Sequence, residues 1–344
     1  MLRVILILAA VVLLVIVIGY GALRYMTSVP GEPHRGPLPP LTADEMALAA
    51  QLKRHVETIA AREHNLAHYD ELENVARYIE TTLQAYGYAA GRQVFTVEGK
   101  PVRNIDATVE ASPGLTDPDV VVVGAHYDSV VGSPGANDNA TGVAAVLALA
   151  RLLADGRGNS GKRIRLVFFV NEEPPYFRTE AMGSLQYARV LAARKERVVA
   201  MYSLETLGFY SSEPGSQRYP APFAMMFPDR ADFVAFVGLL DSRPLLQQTM
   251  RSFRAHTSFP SIGGVAPGII PGIDWSDHWA FAQHGFPAVM ITDTALFRYP
   301  HYHLPSDTPD KVDFESLARI VKGIERVIRD LAQETQDRAA RPGN

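Results

Sequence analysis

Four short apolar runs, each bounded by amphipathic segments of helical period, limit what this chain can fold into more than any other feature. They are VVVVGA (Val120 to Ala125), RIRLVFFV (Arg163 to Val170), VVAMYSL (Val198 to Leu204) and PAVMI (Pro287 to Ile291). A strand buried on one face alternates apolar and polar residues, whereas a strand covered on both faces reads as a continuous run, and parallel neighbours need a crossover helix between them. Helical patterns lie near Thr141 to Leu153, Gly183 to Arg194 and Pro244 to Arg254. A last helix places Phe314, Leu317, Ile320, Val321, Ile324, Val327, Ile328 and Leu331 on one face. Ahead of these come helices over Ala43 to Ala61 and Tyr69 to Tyr86, the second stopped by Gly87, and short strands over Gln93 to Val97 and Val102 to Val109. The stretch after Leu204 reads as long and irregular. The pattern predicts an α/β fold, a mostly parallel mixed sheet with helices on both faces.

Residues Val4 to Leu23 carry no charge over twenty positions, which as a helix covers about 30 Å, the thickness of a bilayer core. That predicts a single membrane anchor. The alternative is a cleaved signal peptide, for which Gly19 and Gly21 offer small residues but the apolar run is long. Arg3 precedes the run while Arg24 and Arg35 follow it, so charge barely fixes its orientation. Because N-terminal segments of this kind direct export, the rest of the chain is expected to be extracytoplasmic, and secreted if the segment is cleaved. The expected division is 1–26 as anchor or signal, 27–42 as a proline-rich linker, 43–334 as one domain and 335–344 as a flexible tail. Five prolines in 27–42 hold that linker extended, as a spacer between membrane and domain.

The net charge of -4 and the lack of long basic runs give no footprint for nucleic acid. With no cysteine in the chain, disulfides, thiolate ligands and cysteine nucleophiles are excluded, so any bound metal must use His, Asp and Glu.

Five segments deliver such residues: GAHYDS (His126, Asp128), GANDNATG (Asp138), VNEE (Glu172, Glu173), YSLETLG (Glu205) and HYHLPSDTPD (His303). Singly, each has a bland reading: a surface pair, a helix cap, a solvated turn or an exposed His. Together, each falls just after a predicted strand or in the connection that follows, the edge where open α/β sheets bind ligands. Two adjacent carboxylates directly after LVFFV are costly to bury unless a cation neutralises them.

On these residues the chain resembles the co-catalytic di-zinc exopeptidase family, which includes secreted bacterial aminopeptidases, glutamate carboxypeptidase II, the related transferrin receptor ectodomain and the glutaminyl cyclases. The likeness covers about Glu45 to Leu331 and implies a zinc aminopeptidase-like fold. It implies two zinc ions: His126, Asp138 and Glu205 would hold one, and Asp138, Glu173 and His303 the other, with Asp138 shared. Glu172 would be the general base, Asp128 would orient His126, and Tyr302 would stabilise the oxyanion. Asp277 and His278 in SDHWAF match a segment near the pocket with supporting roles. Two divalent cations against Asp138, Glu173, Glu205 and a bridging hydroxide give a neutral cluster, as a poorly solvated pocket favours.

Three positions depart from the family pattern. Glu205 stands where Asp is usual, Asn171 where Gly commonly precedes the Glu pair, and PPYFRTEAM (Pro174 to Met182) is longer than the usual turn. The expected activity is that of a zinc-dependent exopeptidase, specifically an aminopeptidase using a metal-bridging hydroxide on peptides. Glu180 would neutralise a substrate ammonium; Arg178 would instead suit a carboxypeptidase by binding a carboxylate. The alternatives are a glutaminyl cyclase, which typically carries Trp where Tyr302 stands, and a non-enzymatic receptor-like ectodomain, whose relatives lose ligands that this chain retains. Oligomeric state is not legible.

Overall fold

The computed structural model describes residues 2–158 and 160–333. The tail expected at 335–344 lies outside the described residues.

Eight strands form one sheet in the order β1-β2-β4-β3-β5-β8-β6-β7. They are β1 (Gly91–Val97), β2 (Lys100–Val109), β3 (Val120–His126), β4 (Arg163–Phe169), β5 (Val198–Glu205), β6 (Val234–Leu239), β7 (Ser261–Ala266) and β8 (Ala288–Thr292). The middle of the sheet, β4-β3-β5-β8, is parallel throughout, as are β6 and β7. The hairpin β1-β2, the pair β2-β4 and the pair β6-β8 are antiparallel. The sheet is thus mixed with a parallel centre, as the continuous apolar runs imply.

The helices are α1 (Leu2–Thr27), α2 (Ala43–Ile59), α3 (Tyr69–Ala85), α4 (Thr141–Leu152), α5 (Gly183–Ala193), α6 (Arg243–His256), α7 (His278–Ala282) and α8 (Phe314–Gln333). Successive side chains of β3 serve two cores. Val121, Val123 and Ala125 pack with α2, α3, α4, α6 and α8 on one face, while Val120 and Val122 pack with α5 and α7 on the other. This period-two division between two buried faces is why β3 contains no polar residue before His126. The start of α2 is fixed by a reciprocal capping box: Glu45 N–H donates to Thr42 Oγ1 (3.2 Å) and Thr42 N–H to Glu45 Oε2 (2.7 Å).

Two strands escape the sequence reading. Both β6 (VAFVGL) and β7 (SIGGVA) are six residues long, and β7 is an edge strand with two central glycines, a composition that weakens the strand signal. The segment 27–42 also differs from a free spacer. Val29 packs against the main core, Arg254 Nη1 donates to Pro30 O (3.0 Å), and Arg319 Nη2 donates to Pro39 O (2.5 Å). The prolines do keep it extended, but an extended chain can lie along a domain as readily as lead away from one.

Candidate metal centre

Register brings the site together before any side chain is considered. Gly124 of β3 pairs with both Val167 of β4 and Ser203 of β5, and His126 pairs with Phe169. The C-terminal ends of these strands are therefore level, with His126 closing β3, Glu205 closing β5 opposite Thr292, and Glu172 and Glu173 three and four residues beyond β4. Asp138 comes from the wide turn Ala136–Ala140 that leads into α4. Gly135 precedes this turn at φ +68, where an added Cβ would lie 2.6 Å from Asp138 O; only glycine permits the chain to double back so closely. His303 arrives from the loop between β8 and α8.

Asp138 stands between two sets of donors. Its Oδ1 is 3.4 Å from His126 Nε2, which is itself 3.5 Å from Glu205 Oε2. Its Oδ2 is 3.1 Å from His303 Nε2, which is 3.3 Å from Glu173 Oε2. The sets His126–Asp138–Glu205 and Asp138–Glu173–His303 each keep their ligand atoms within 4.8 Å of one another. All but His303 are buried, and Glu173 Oε1 and His303 Nε2 are buried without a hydrogen-bond partner. Imidazole and carboxylate groups converging in threes with no thiolate, the second set carrying the unsatisfied atoms, fit a divalent zinc-type cation.

The supporting contacts explain how the ligands are aimed. His126 Nδ1 donates to Asp128 O (3.0 Å), which leaves the Nε2 lone pair facing the site. The Asp128 carboxylate, expected to orient the ring, lies farther off at 3.6 Å and instead accepts the N–H groups of Glu172 (3.0 Å) and Glu173 (3.1 Å). Asp128 thus fixes both glutamates as well as His126. Asn171, just before them, adopts φ +60, the left-handed region that favours Gly and after it Asn, which accounts for the departure at this position. Glu205 Oε2 accepts from Ser276 Oγ (2.6 Å), so the longer carboxylate is anchored where a shorter one is usual.

Electrostatics point the same way. Burial pushes the Glu172 carboxyl well up, with the charges of Glu205, Glu173 and Asp277 adding to it. Burial and the neighbouring Asp138 push Glu173 up to about 8, and burial with the charge of Asp138 raises Glu205. Burial acts upward on Asp138 too, but the close imidazoles of His126 and His303 outweigh it and hold that carboxyl below its usual range. Against burial, the carboxylates of Asp138 and Glu173 beside it raise His303 to about 10. Four carboxylates crowded around two imidazoles repel one another, and bound cations reverse that balance.

Tyr302 stacks on His303 with ring centroids 3.8 Å apart and lines a cleft beside Glu205. Burial, reinforced by Asp138, Glu173, Glu205 and Glu172, raises its phenol so far that it stays a donor. The cleft encloses about 880 Å³ open to solvent and is walled by Tyr219, Phe223, Phe227, Phe236, Ile262, Ile273, Trp275, Met290 and Phe297. Glu205 is the only charged residue among the described residues that line it.

Arg178 and Glu180 are not brought to this cleft. Arg178 Nη2 pairs with Asp274 Oδ1 (2.6 Å) with its guanidinium over Phe177 and Trp279, while Glu180 pairs with Arg189 on the surface (2.6 Å). The long segment folds into turns stabilised by local bonds, such as Thr179 Oγ1 to Tyr176 O (2.6 Å), and these aim both side chains away. In SDHWAF, His278 Nε2 donates to Ile273 O (2.8 Å), Asp277 is buried, and Ser276 just before them carries the bond to Glu205.

One residue of the site is missed by sequence reasoning. Asp307 accepts the N–H groups of Asn137 (Oδ1, 2.8 Å) and Asp138 (Oδ2, 3.1 Å) and the hydroxyl of Tyr299 (Oδ1, 2.7 Å). It sits inside HYHLPSDTPD, so the motif contains it, but a contact about 170 positions away leaves no local signal.

Comparisons with known proteins bear on the family and the fold. The family model described as peptidase family M28 matches residues 104–328. The uncharacterized protein YfbL of Escherichia coli (strain K12) is 38% identical over 285 residues, covering 80% of this chain and 85% of that protein. The probable leucine aminopeptidase 1 of Trichophyton verrucosum (strain HKI 0517) is 26% identical over 238 residues, covering 65% of this chain and 57% of that protein. This chain thus spans less than two thirds of that relative. The structure of the aminopeptidase from Aneurinibacillus sp. strain AM-1 has a TM-score of 0.64 at 17% identity, over 86% of this chain and 96% of that one, a likeness of fold.

Proposed function

Because the chain belongs to peptidase family M28, a family of zinc-dependent hydrolases, we propose that it is an aminopeptidase working with two zinc ions that share Asp138. The observation that carries the aminopeptidase reading is the cleft beside Glu205: its lining offers apolar surface and one carboxylate, with no lysine or arginine among the described residues to receive a substrate carboxylate. Arg178 does not supply that cation, since Asp274 already neutralises it. An apolar N-terminal side chain would fill the cleft while the ammonium lies toward Glu205.

Zinc bound by the two sets would supply Lewis-acid polarisation of the scissile carbonyl and acidify the attacking water. The chain's own residues do the rest. Glu172, held through its N–H by Asp128, takes the proton from water at its carboxylate and passes it to the leaving amine. Burial raises its pKa, and positive charge held in the pocket would return this carboxyl to the ionised form that a base requires. The Tyr302 phenol, kept protonated, donates to the oxyanion of the tetrahedral intermediate. Asp128 and Asp307 hold the backbone from which Glu172, Glu173 and Asp138 project.

In the same reading α1 is a retained single membrane span and the domain from about residue 43 is extracytoplasmic. Residues 2–22 of α1 are exposed throughout, as expected of a helix whose surroundings are lipid.

The test is a pair of blocked peptides. Acetylating the N-terminus should abolish cleavage, whereas amidating the C-terminus should not. Cleavage of the acetylated peptide with loss on amidation would reverse the assignment to a carboxypeptidase. Release of pyroglutamyl peptide from an N-terminal Gln substrate without hydrolysis would make the chain a cyclase.

A further inference from the structure

The end of α1 packs against residues that line the cleft. Leu23, the one buried residue of the helix, forms an apolar cluster with Phe223 and Ala266, against which Met26, Met226 and Ile270 also pack. Phe223 and Ala266 line the cleft from their other side. Gly263 and Gly264 of edge strand β7 make the close approach possible: a Cβ on Gly264 would lie 3.0 Å from Met26 O, and one on Gly263 would lie 3.3 Å from Val29 Cγ1. Arg243 stacks on Tyr25 at 4.2 Å, and its guanidinium donates to Tyr25 O and Ser28 Oγ, each at 3.1 Å. A helix gripped at its last two turns by packing and charged hydrogen bonds does not act as a loose tether. The domain therefore sits at a fixed height above whatever surrounds α1.

That height is small. Leu23 ends the uncharged run and Arg24 follows it, so the helix leaves the hydrocarbon at the level of the cluster, where the polar interface of a bilayer is only about 6 Å thick on each side. Met225 and Ile269 each adjoin a residue of that cluster, and at 81% and 87% exposure they are the most exposed large apolar side chains among the described residues. Through Met226 and Ile270 they adjoin the cluster that Leu23 of α1 completes, and the exposed apolar residues 2–22 of that same helix point to lipid as what covers them. We infer that Met225 and Ile269 insert into the bilayer interface beside α1, so that the cleft next to Glu205 opens at the membrane surface and receives peptides presented there. This rests on α1 being a retained span, but not on which end of the peptide is cleaved.

The absence of native cysteine makes the test direct. The full chain carrying Met225→Cys, Ile269→Cys or, as a control on the opposite edge strand, Val94→Cys would be labelled with an environment-sensitive fluorophore. Each would be placed in phosphatidylcholine–phosphatidylglycerol nanodiscs with nitroxide on the lipid acyl chains. The labels at 225 and 269 should shift to the blue and lose most of their fluorescence to the nitroxide, while the label at 94, on a side chain 62% exposed, should change little. Labels at 225 and 269 that behave like the one at 94, in chains that co-purify with the nanodisc, would overturn the inference, as would shielding of those labels by a second copy. Failure to co-purify, with a new N-terminus by sequencing, would overturn it through the retained span instead.

Discussion

Asp307 Oδ2 accepts the backbone N–H of Asp138 at 3.1 Å, so one buried carboxylate fixes the peptide from which another reaches between the two donor sets. Asp128 does the same for Glu172 and Glu173. Neither aspartate needs to touch a cation to determine where the ligands point.

Asp307→Asn should weaken zinc binding by roughly tenfold to a hundredfold, as expected when a group supporting a ligand is lost. The reason is that the new amide cannot accept from both Asn137 and Asp138. Zinc titration of the chelated protein would measure this, and activity should largely return at saturating metal. Unchanged affinity would show that the turn holds Asp138 without Asp307.

Glu172→Gln should leave metal content almost unchanged and lower kcat by on the order of a hundredfold or more, whereas Asp138→Ala should release metal. Elemental analysis beside steady-state kinetics separates the two. Full activity in the Gln variant, or normal metal in the Ala variant, would refute these roles.

Across apolar aminoacyl anilides, kcat/KM should fall about tenfold to a hundredfold from Leu to Ala, because the missing methylenes leave the cleft unfilled. Asp and Lys anilides should be poorer still. A preference for charged residues would show that the cleft beside Glu205 is not where the side chain binds.

Stability should depend on His55. Burial, with the charges of Arg54 and Arg151, lowers its pKa from 6.5 to about 4, and its ring is engaged by Tyr78 (2.7 Å). Between these values the unfolded chain binds a proton that the folded chain refuses, so stability is fully present above pH 6.5 and is lost as pH falls toward 4. The loss is on the order of 3 kcal/mol, taking about 1.36 kcal/mol per pH unit over that interval. His55→Gln should flatten urea unfolding midpoints between pH 7 and 4.5 relative to wild type. Parallel pH profiles would refute this.

A chain starting at Leu41 should be less stable than one starting at Ala22, by about 2–4 kcal/mol, since it lacks the apolar contacts of Leu23, Met26 and Val29 and uncovers the edge of β7. Thermal denaturation of the two fragments would show it. Equal midpoints would mean that residues 22–40 only lie on the surface.

Much of the architecture is legible because its signals are local. The runs at Val120, Arg163, Val198 and Pro287 announce doubly covered strands, and the chain ends each with a polar residue or turn at the edge where the donors gather. Strands β6 and β7 were hidden because short segments and paired glycines carry little periodicity, and pairing with β8 and with each other decides their form.

Residue types and their order limited the donors to His, Asp and Glu in five segments, and the resemblance these carry implied His126, Asp138, Glu173, Glu205 and His303 as the ligands. Only the tertiary structure decided which oxygen of Asp138 faces which set, that Arg178 and Glu180 are neutralised elsewhere, that Asp307 holds the turn, and that the end of α1 packs behind the cleft's lining. The physical reason is range. Side-chain period and backbone preference act over a few residues, whereas a ligand's aim, an ion pair's partner and a cleft's wall are set by groups that meet only after the sheet has aligned segments many tens of positions apart.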